Sequence, residues 1–231
     1  MSPRDAKALA HDRLADQFDA LMNDYDLTRR LETLLDDFMR DDTWSGKIVL
    51  DAGCGTGRGT QAIRKRGATI VAMDIGLNLV RRTVERCNCA AVVGDILACP
   101  FPDSYFDVVF STEVIEHTPD PLAAVAQFHR ILKPGGHLVL STPNRAWHWL
   151  VSLASKLKLR PYEGFENFVS PQELRRTAER LGLTVITHTG LHLAPFQIRV
   201  LHPVLRQMDR WGERLLPVMI NQCMHAVKNN R

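Results

Sequence analysis

The 231-residue sequence contains no apolar run of the roughly 18 to 20 residues that a membrane-spanning helix needs. Its cysteines form no CxxC pair, and Cys87-Asn-Cys89 has no second pair at zinc spacing. Net charge is scarce as well. The 29 Lys and Arg face 26 Asp and Glu, for a formal +3, spread too evenly to make nucleic acid an obligatory partner. The opening stretch lacks the apolar core of a secretory signal, and Asp5, Asp12, Asp16 and Asp19 fit an organellar transit sequence poorly. A mature, cytoplasmic protein is expected. The five cysteines, an odd number in a chain large enough to bury its own core, read as reduced thiols packed as small hydrophobes. What is present is ordinary for a folded domain: 45% hydrophobic and 24% charged residues exclude a disordered chain.

An N-terminal cap over residues 1–45 reads as two amphipathic helices. Leu14, Phe18, Leu21, Met22 and Tyr25 form one stripe, and Leu27, Leu31, Leu34, Leu35, Phe38 and Met39 form the other. A core over 46–144 then alternates short apolar runs with helical patterns. Strands are expected at 48–53, 69–74, 90–95, 106–112 and 137–142, with helices at 58–66, 77–86 and 121–133 between them. The runs are apolar throughout rather than alternating, as strands buried on both faces should be. Strands alternating with helices make a doubly wound, parallel α/β sheet. An insertion over 145–169 interrupts this order. Ser170-Pro171-Gln172-Glu173 then opens a helix with an N-cap, a first-turn proline and a capping box. A strand follows at 183–189, within a C-terminal part covering 170–231.

The most informative residues are Asp51-Ala52-Gly53-Cys54-Gly55-Thr56-Gly57, between the first strand and a helix. A glycine run there lets backbone approach a ligand at the carboxyl end of the sheet. The glycines fall at every second position, which is not the dinucleotide spacing, and no Gly-Lys-Ser/Thr follows to cradle a triphosphate. Asp74 ends the second strand, where one carboxylate can accept from both hydroxyls of a ribose. Asp95 ends the third, within reach of a base's exocyclic amine.

On these residues the chain resembles the class I S-adenosylmethionine-dependent methyltransferases, most closely from 48 to 144. The resemblance implies a mostly parallel seven-stranded Rossmann-like sheet whose last strand, at 223–227, runs antiparallel. It also implies that the loop from Asp51 to Gly57 meets the methionine half of S-adenosylmethionine, that Asp74 holds the ribose, and that Asp95 and Ile96 meet adenine. Thr112, closing the fourth strand, joins that cofactor set. A narrower likeness lies in Thr112-Glu113-Val114-Ile115-Glu116-His117, with LKPGG and STPNR following. It is similar to the ubiquinone-biosynthesis O-methyltransferases, in which two Glu and a His bind a divalent cation. Glu113, Glu116 and His117 inherit that suggestion, with Mg²⁺ as the implied ion, and Arg30 matches an Arg of that group near the cofactor.

Methyl transfer to a phenol needs the proton removed, by a positioned base or by a cation that stabilises the phenolate. Glu113, Glu116 and His117 could converge on one helical turn. That leaves three readings open: a metal site, a base formed by His117 with Glu116, or a loop fixed by hydrogen bonds to backbone. His148, His188 and His192 are further possible bases, and Phe18 and Tyr25 could close over the cofactor or simply pack. Asn144 follows Pro143 outside any Asn/Asp-Pro-Pro-aromatic motif, which argues against nucleic-acid bases as substrate. In the insertion, Trp147 and Trp149 accompany Lys156, Lys158 and Arg160, a composition that suits a membrane interface, a pocket lid or a dimer contact. The expected activity is O-methylation of a small, hydroxylated, rather apolar acceptor. The rivals are a methyltransferase for a soluble metabolite acting at O, N or C, and a cofactor-binding scaffold without turnover.

Overall fold

The structure, a computed structural model, describes residues 12–39, 44–156 and 165–230. A seven-stranded sheet runs in the order β3-β2-β1-β4-β5-β7-β6. Its strands are β1 (Ile48–Ala52), β2 (Thr69–Asp74), β3 (Ala90–Val93), β4 (Phe106–Thr112), β5 (Leu132–Pro143), β6 (Leu183–Leu191) and β7 (Asn221–Lys228). β1 to β5 pair in parallel, and β7 lies antiparallel between β5 and β6. The helices are α1 (Phe18–Leu21), α2 (Asp24–Leu31), α3 (Arg58–Arg64), α4 (Leu77–Cys87), α5 (Pro121–Ile131), α6 (His148–Lys156), α7 (Pro171–Arg180), α8 (His202–Asp209) and α9 (Gly212–Leu215). Neighbouring strand residues face opposite sides, as a period of two requires. Val49 and Val108 join Leu34, Leu35 and Ile63 in one buried cluster, while Leu50 and Val109 join Phe128, Leu174 and Met224 in another. Both faces of the central strands are covered, so the apolar runs of β1 and β4 belong to strands buried on both sides, whereas the edge strands β3 and β6 are partly exposed.

Several local expectations change; β3, for one, ends at Val93, and Asp95 lies beyond it as the cap of a 3₁₀ turn. The first amphipathic stripe is not one helix. After a 3₁₀ turn at Asp12–Leu14 and the short α1, the Asn23 side chain accepts from the Asp26 N–H at 3.0 Å and starts a new helix, so Tyr25 belongs to α2. α2 then continues as a π-helical turn over Glu32–Asp37. At its far end α5 stops at Ile131 rather than at 133. Lys133 precedes Pro134 and is pushed out of the helical region, so Leu132 already pairs with Phe106. The last strand is longer than 223–227 at both ends.

The insertion contains a 3₁₀ turn at Arg145–Trp147 and α6. Trp147 Nε1 donates to the Val218 carbonyl at 2.9 Å, which ties the segment to the C-terminal part. Residues 157–164, with Lys158 and Arg160, and the Lys156 side chain lie outside what the structure describes. Among the described residues, no helix is long and apolar enough to cross a membrane.

Candidate active site

The strand order reverses between β1 and β4, and ligands of open α/β sheets bind beyond the carboxyl ends of the strands at such a point. A cavity of about 640 Å³ opens there. Its floor is the loop leaving β1. Gly53, Gly55 and Gly57 have φ of +81°, +54° and +85°, the left-handed region that glycine enters without a Cβ penalty. A Cβ on Gly53 would stand 2.3 Å from Val114, so only glycine lets the two loops close together. The Gly53 and Cys54 N–H groups donate to the Met73 carbonyl at 2.7 and 2.9 Å, locking the loop to β2.

Asp74 stands beside this loop. Its two carboxylate oxygens accept from Gly55 N at 3.0 Å and Gly76 N at 2.9 Å, and burial raises its pKa. Asp95 caps the 3₁₀ turn Ile96–Ala98 through Leu97 N at 2.8 Å and also lines the cavity, as does Ile96. Arg30 reaches in from α2 and donates through Nη1 to Thr112 Oγ1 at 2.5 Å. Thr112 lies 3.0 Å from Ser141 Oγ, and Ser141 gives its one proton to Glu113 Oε1 at 2.8 Å. Thr112 is therefore the donor to Ser141, and a directed chain runs from Arg30 through two hydroxyls to Glu113.

Arg30, Gly53, Gly55, Asp74, Asp95, Ile96, Thr112, Glu113 and His117 all line this cavity. Asp51, Gly57 and Glu116 do not. Asp51 sits behind the loop, accepting from the Thr60 hydroxyl, with burial lifting its pKa to about 7. Gly57 faces Thr83 of α4, where a Cβ would meet the Thr83 Cα at 3.0 Å. Glu116 is buried and accepts from Thr142 Oγ1 at 2.9 Å.

The expected convergence of Glu113, Glu116 and His117 on one helical turn is not what forms. Glu113 bends at φ +54° before the turn, and only Ile115–His117 is helical, as a 3₁₀ turn. Burial pushes Glu113 up to about 8 and Glu116 up to about 7, so near neutral pH both carry protons for much of the time. Among the described residues no three His, Cys, Asp or Glu side chains gather closely enough to hold a cation. In this arrangement the trio does not fit Mg²⁺. To bind it, both carboxyls would have to lose their protons and turn from Ser141 and Thr142.

His117 is placed differently. Its Nδ1 lies 2.9 Å from the Phe165 carbonyl, which can only accept, so Nδ1 carries the proton and Nε2 is the basic nitrogen of the neutral ring. Nε2 is 3.7 Å from Glu116 Oε1. The other three candidate histidines do not line the cavity. His188 is buried against Gln222, with burial lowering its pKa to about 4, His192 is buried against Asp26, and His148 is exposed on α6. Of the two aromatic residues that could close over the cofactor or simply pack, Phe18 lines the cavity, 3.4 Å from where a Gly55 Cβ would be. Tyr25 instead stacks on His202, ring centroids 3.6 Å apart. Sequence reasoning missed Asp12, Met22 and Phe165, which also line the cavity; they sit in segments without a recognisable motif.

The fold and the site together define a class I S-adenosylmethionine-dependent methyltransferase. The glycine cradle, Asp74 and the cavity's size, within the range of small-molecule sites, fit that cofactor. The chain belongs to the methyltransferase domain family, whose model matches residues 22–188. It is 34% identical over 165 residues to a ubiquinone biosynthesis O-methyltransferase of Pseudomonas fluorescens (65% of this chain, 70% of the relative). To one of Coxiella burnetii it is 31% identical over 166 residues (67% and 71%). Among solved structures, geranyl diphosphate C-methyltransferase from Streptomyces coelicolor, in complex with Mg²⁺, geranyl diphosphate and S-adenosyl-L-homocysteine, matches with a TM-score of 0.66 and 16% identity, over 87% of this chain and 77% of that one. The YcgJ protein of Bacillus subtilis matches with a TM-score of 0.64 and 16% identity, over 87% and 99%. At such identities these two likenesses speak for the fold alone.

Proposed function

We propose that the protein methylates the hydroxyl oxygen of a small, rather apolar phenol or quinol, with His117 as the base that takes the hydroxyl proton. The observation that carries this reading is the orientation of His117. The Phe165 carbonyl fixes the protonated nitrogen, so the basic Nε2 belongs to a side chain that lines the same cavity as the cofactor residues. Apolar groups that line the same cavity, Val114, Pro119, Phe165, Phe18 and Met22, suit an aromatic ring better than a strongly charged metabolite. The relatives named as ubiquinone biosynthesis O-methyltransferases point the same way.

S-adenosylmethionine, when bound, supplies an electrophilic methyl group on a sulfonium. The chain's own residues do the rest. The glycine loop and Asp74 hold and orient the nucleoside, Arg30, braced by Asp26 and by Thr112 Oγ1, offers its N–H donors to the cavity, and the apolar walls exclude water around the acceptor. Placing the oxygen about 3 to 3.5 Å from the methyl carbon removes much of the entropic barrier. Removal of the proton by His117 adds typically ~10²–10⁴-fold, because a phenol near pKa 10 is mostly un-ionised at neutral pH. Glu116 Oε1 lies 3.7 Å from His117 Nε2, and in its ionised form this carboxylate steadies the imidazolium that forms. A cation at Glu113, Glu116 and His117 has no step in this mechanism.

Peripheral contact with a membrane through 145–168 belongs to the same reading. Trp149, 63% exposed, and Leu153 stand out from α6. The test is a methylation screen with labelled cofactor over hydroquinones, catechols, amines and carbon acids, with and without chelator. Lipophilic acceptors are carried in anionic vesicles. Label on a phenolic oxygen, undiminished by chelator, is expected, with protein that sediments with the vesicles and is released by salt. Label on nitrogen or carbon, or no acceptor-dependent turnover, contradicts the acceptor assignment. Loss of activity on chelation assigns the trio to a metal, and protein left in the supernatant removes the membrane contact.

A further inference from the structure

Arg30 carries a charge at a position only 5% exposed, where an unpaired guanidinium would be costly. Its partner is Asp26, one turn earlier on α2. Arg30 Nε and Nη2 both donate to Asp26 Oδ2, at 3.0 and 2.8 Å. The other carboxylate oxygen, Oδ1, accepts from His192 Nε2 at 3.1 Å and from Asn221 Nδ2 at 3.0 Å. Burial alone would push the Asp26 carboxyl up, yet Arg30 and His192 hold it below the usual range, so it stays ionised. His192 is itself clamped. It sits at φ +61°, its backbone N–H donates to Asp209 Oδ1 at 2.9 Å, and its carbonyl accepts from Ile220 N at 2.9 Å. Asp209 Oδ2 in turn accepts from Arg29 Nε at 3.1 Å. Neighbouring arginines on α2 are thus both tied to one residue at the end of β6, Arg29 through Asp209 and Arg30 through Asp26.

Three of the five N–H groups of Arg30 are engaged by Asp26 and Thr112. The remaining two, one on each Nη, have no partner among the described residues, and the side chain lines the cofactor cavity. We propose that Asp26 and His192 are positioning residues for cofactor binding: His192 fixes the Asp26 carboxylate, and Asp26 holds the Arg30 guanidinium so that its open N–H pair meets the carboxylate of the methionine half. This rests on the reading that Arg30 binds the cofactor. Its new content is that the affinity for the amino-acid end of the cofactor is set by residues that do not line the cavity, Asp26 and, 166 positions from it in the chain, His192. A fork held on one edge loses less freedom on binding a carboxylate than a mobile one does.

Two ligands separate positioning from general damage. S-adenosylhomocysteine has the carboxylate, and 5′-methylthioadenosine keeps the nucleoside and sulfur but lacks it. By calorimetry, Asp26→Asn should weaken S-adenosylhomocysteine about tenfold and leave 5′-methylthioadenosine unchanged. His192→Phe keeps a ring between Tyr25 and Phe196 but removes the donor, and should weaken S-adenosylhomocysteine about threefold with the same selectivity. His192→Gln, which retains an N–H at comparable reach, should restore it. Arg30→Gln is the reference and should lose at least as much as Asp26→Asn. If Asp26→Asn does not fold, the His192 variants carry the comparison. Equal weakening of both ligands, or wild-type affinity in Asp26→Asn beside a weakened Arg30→Gln, overturns the positioning role alone. Wild-type affinity in Arg30→Gln overturns the role of Arg30, and the positioning role falls with it.

Discussion

Asp74 does two things with one carboxylate. Each oxygen already accepts a backbone N–H, from Gly55 or Gly76, which welds the glycine loop to the turn after β2. Each oxygen also keeps lone-pair capacity for a ribose hydroxyl. Asp74→Asn keeps the shape but loses the charge and half of the acceptor capacity. The cofactor should bind more weakly by about 1.5–3 kcal/mol in the folded variant, read by titration calorimetry. Unchanged affinity would take Asp74 out of the site. That the glycine loop and Asp74 meet at one cavity was legible from residue type at strand ends, because close backbone approach demands glycine and strand ends at a switch point face the ligand crevice. The roles of Asp51 and Glu116 were not. A carboxylate spaced correctly for the cavity can equally turn behind the loop, and here Thr60 and Thr142 supply the hydroxyls that hold them there.

α4 shows what a segment without a motif can do for a helix. Its N-cap position is Gly76, which has no side chain to offer the first-turn amides. Asp12 supplies the cap from a distance. Its Oδ1 accepts from Asn78 N at 2.7 Å and Leu79 N at 3.1 Å, and Oδ2 accepts from Asn78 Nδ2 at 3.0 Å. Asp16 and Asp19 pair with Arg82 and Arg86 further along the same helix, so an acidic edge fastens the N-terminal segment and Phe18 over the cavity. Asp12→Ala should cost about 0.5–2 kcal/mol of stability, typical for a lost cap, and should speed cofactor release measured by stopped flow. A variant with unchanged melting and unchanged release would show that the cap does not fasten the segment. Ser170 and Glu173, by contrast, form the expected capping box on α7, since both partners lie within four residues of each other. The break at Asn23 escaped the periodicity because the apolar stripe runs straight through it.

Over the whole molecule, several buried acids set the response to pH. Burial lifts Asp51 and Glu116 to about 7 and Glu113 to about 8, whereas unfolded carboxyls ionise near 4. Between pH 6.5 and 8 the unfolded chain therefore binds fewer protons at these sites than the folded protein does. Their contribution is full below the unfolded pKa and is lost as pH rises through 7 to 8. His188, lowered to about 4 by burial, opposes this only at lower pH, where the unfolded imidazole takes up its proton. The melting temperature of the ligand-free protein should fall from pH 6.5 to 8, and Glu113→Gln should flatten part of the fall. A level or rising curve contradicts the burial of neutral carboxyls. At this scale the parallel, doubly wound core could be read from the apolar runs. The reversed last strand came only from the family resemblance. The Asp26, His192 and Asn221 cluster could not be read at all, since its members are joined by the fold and not by any local pattern.

The account turns on His117 as the base for a phenolic acceptor, and acceptor acidity tests it most directly. Turnover of the wild type and of His117→Gln is compared on two catechols of similar size, one of ordinary acidity and one with an electron-withdrawing group that leaves it ionised at the assay pH. Removing the base should cost about 10²–10⁴-fold in kcat on the ordinary catechol and little on the ionised one, with cofactor affinity unchanged in both. An equal loss on the two acceptors, or no loss on either, would contradict it.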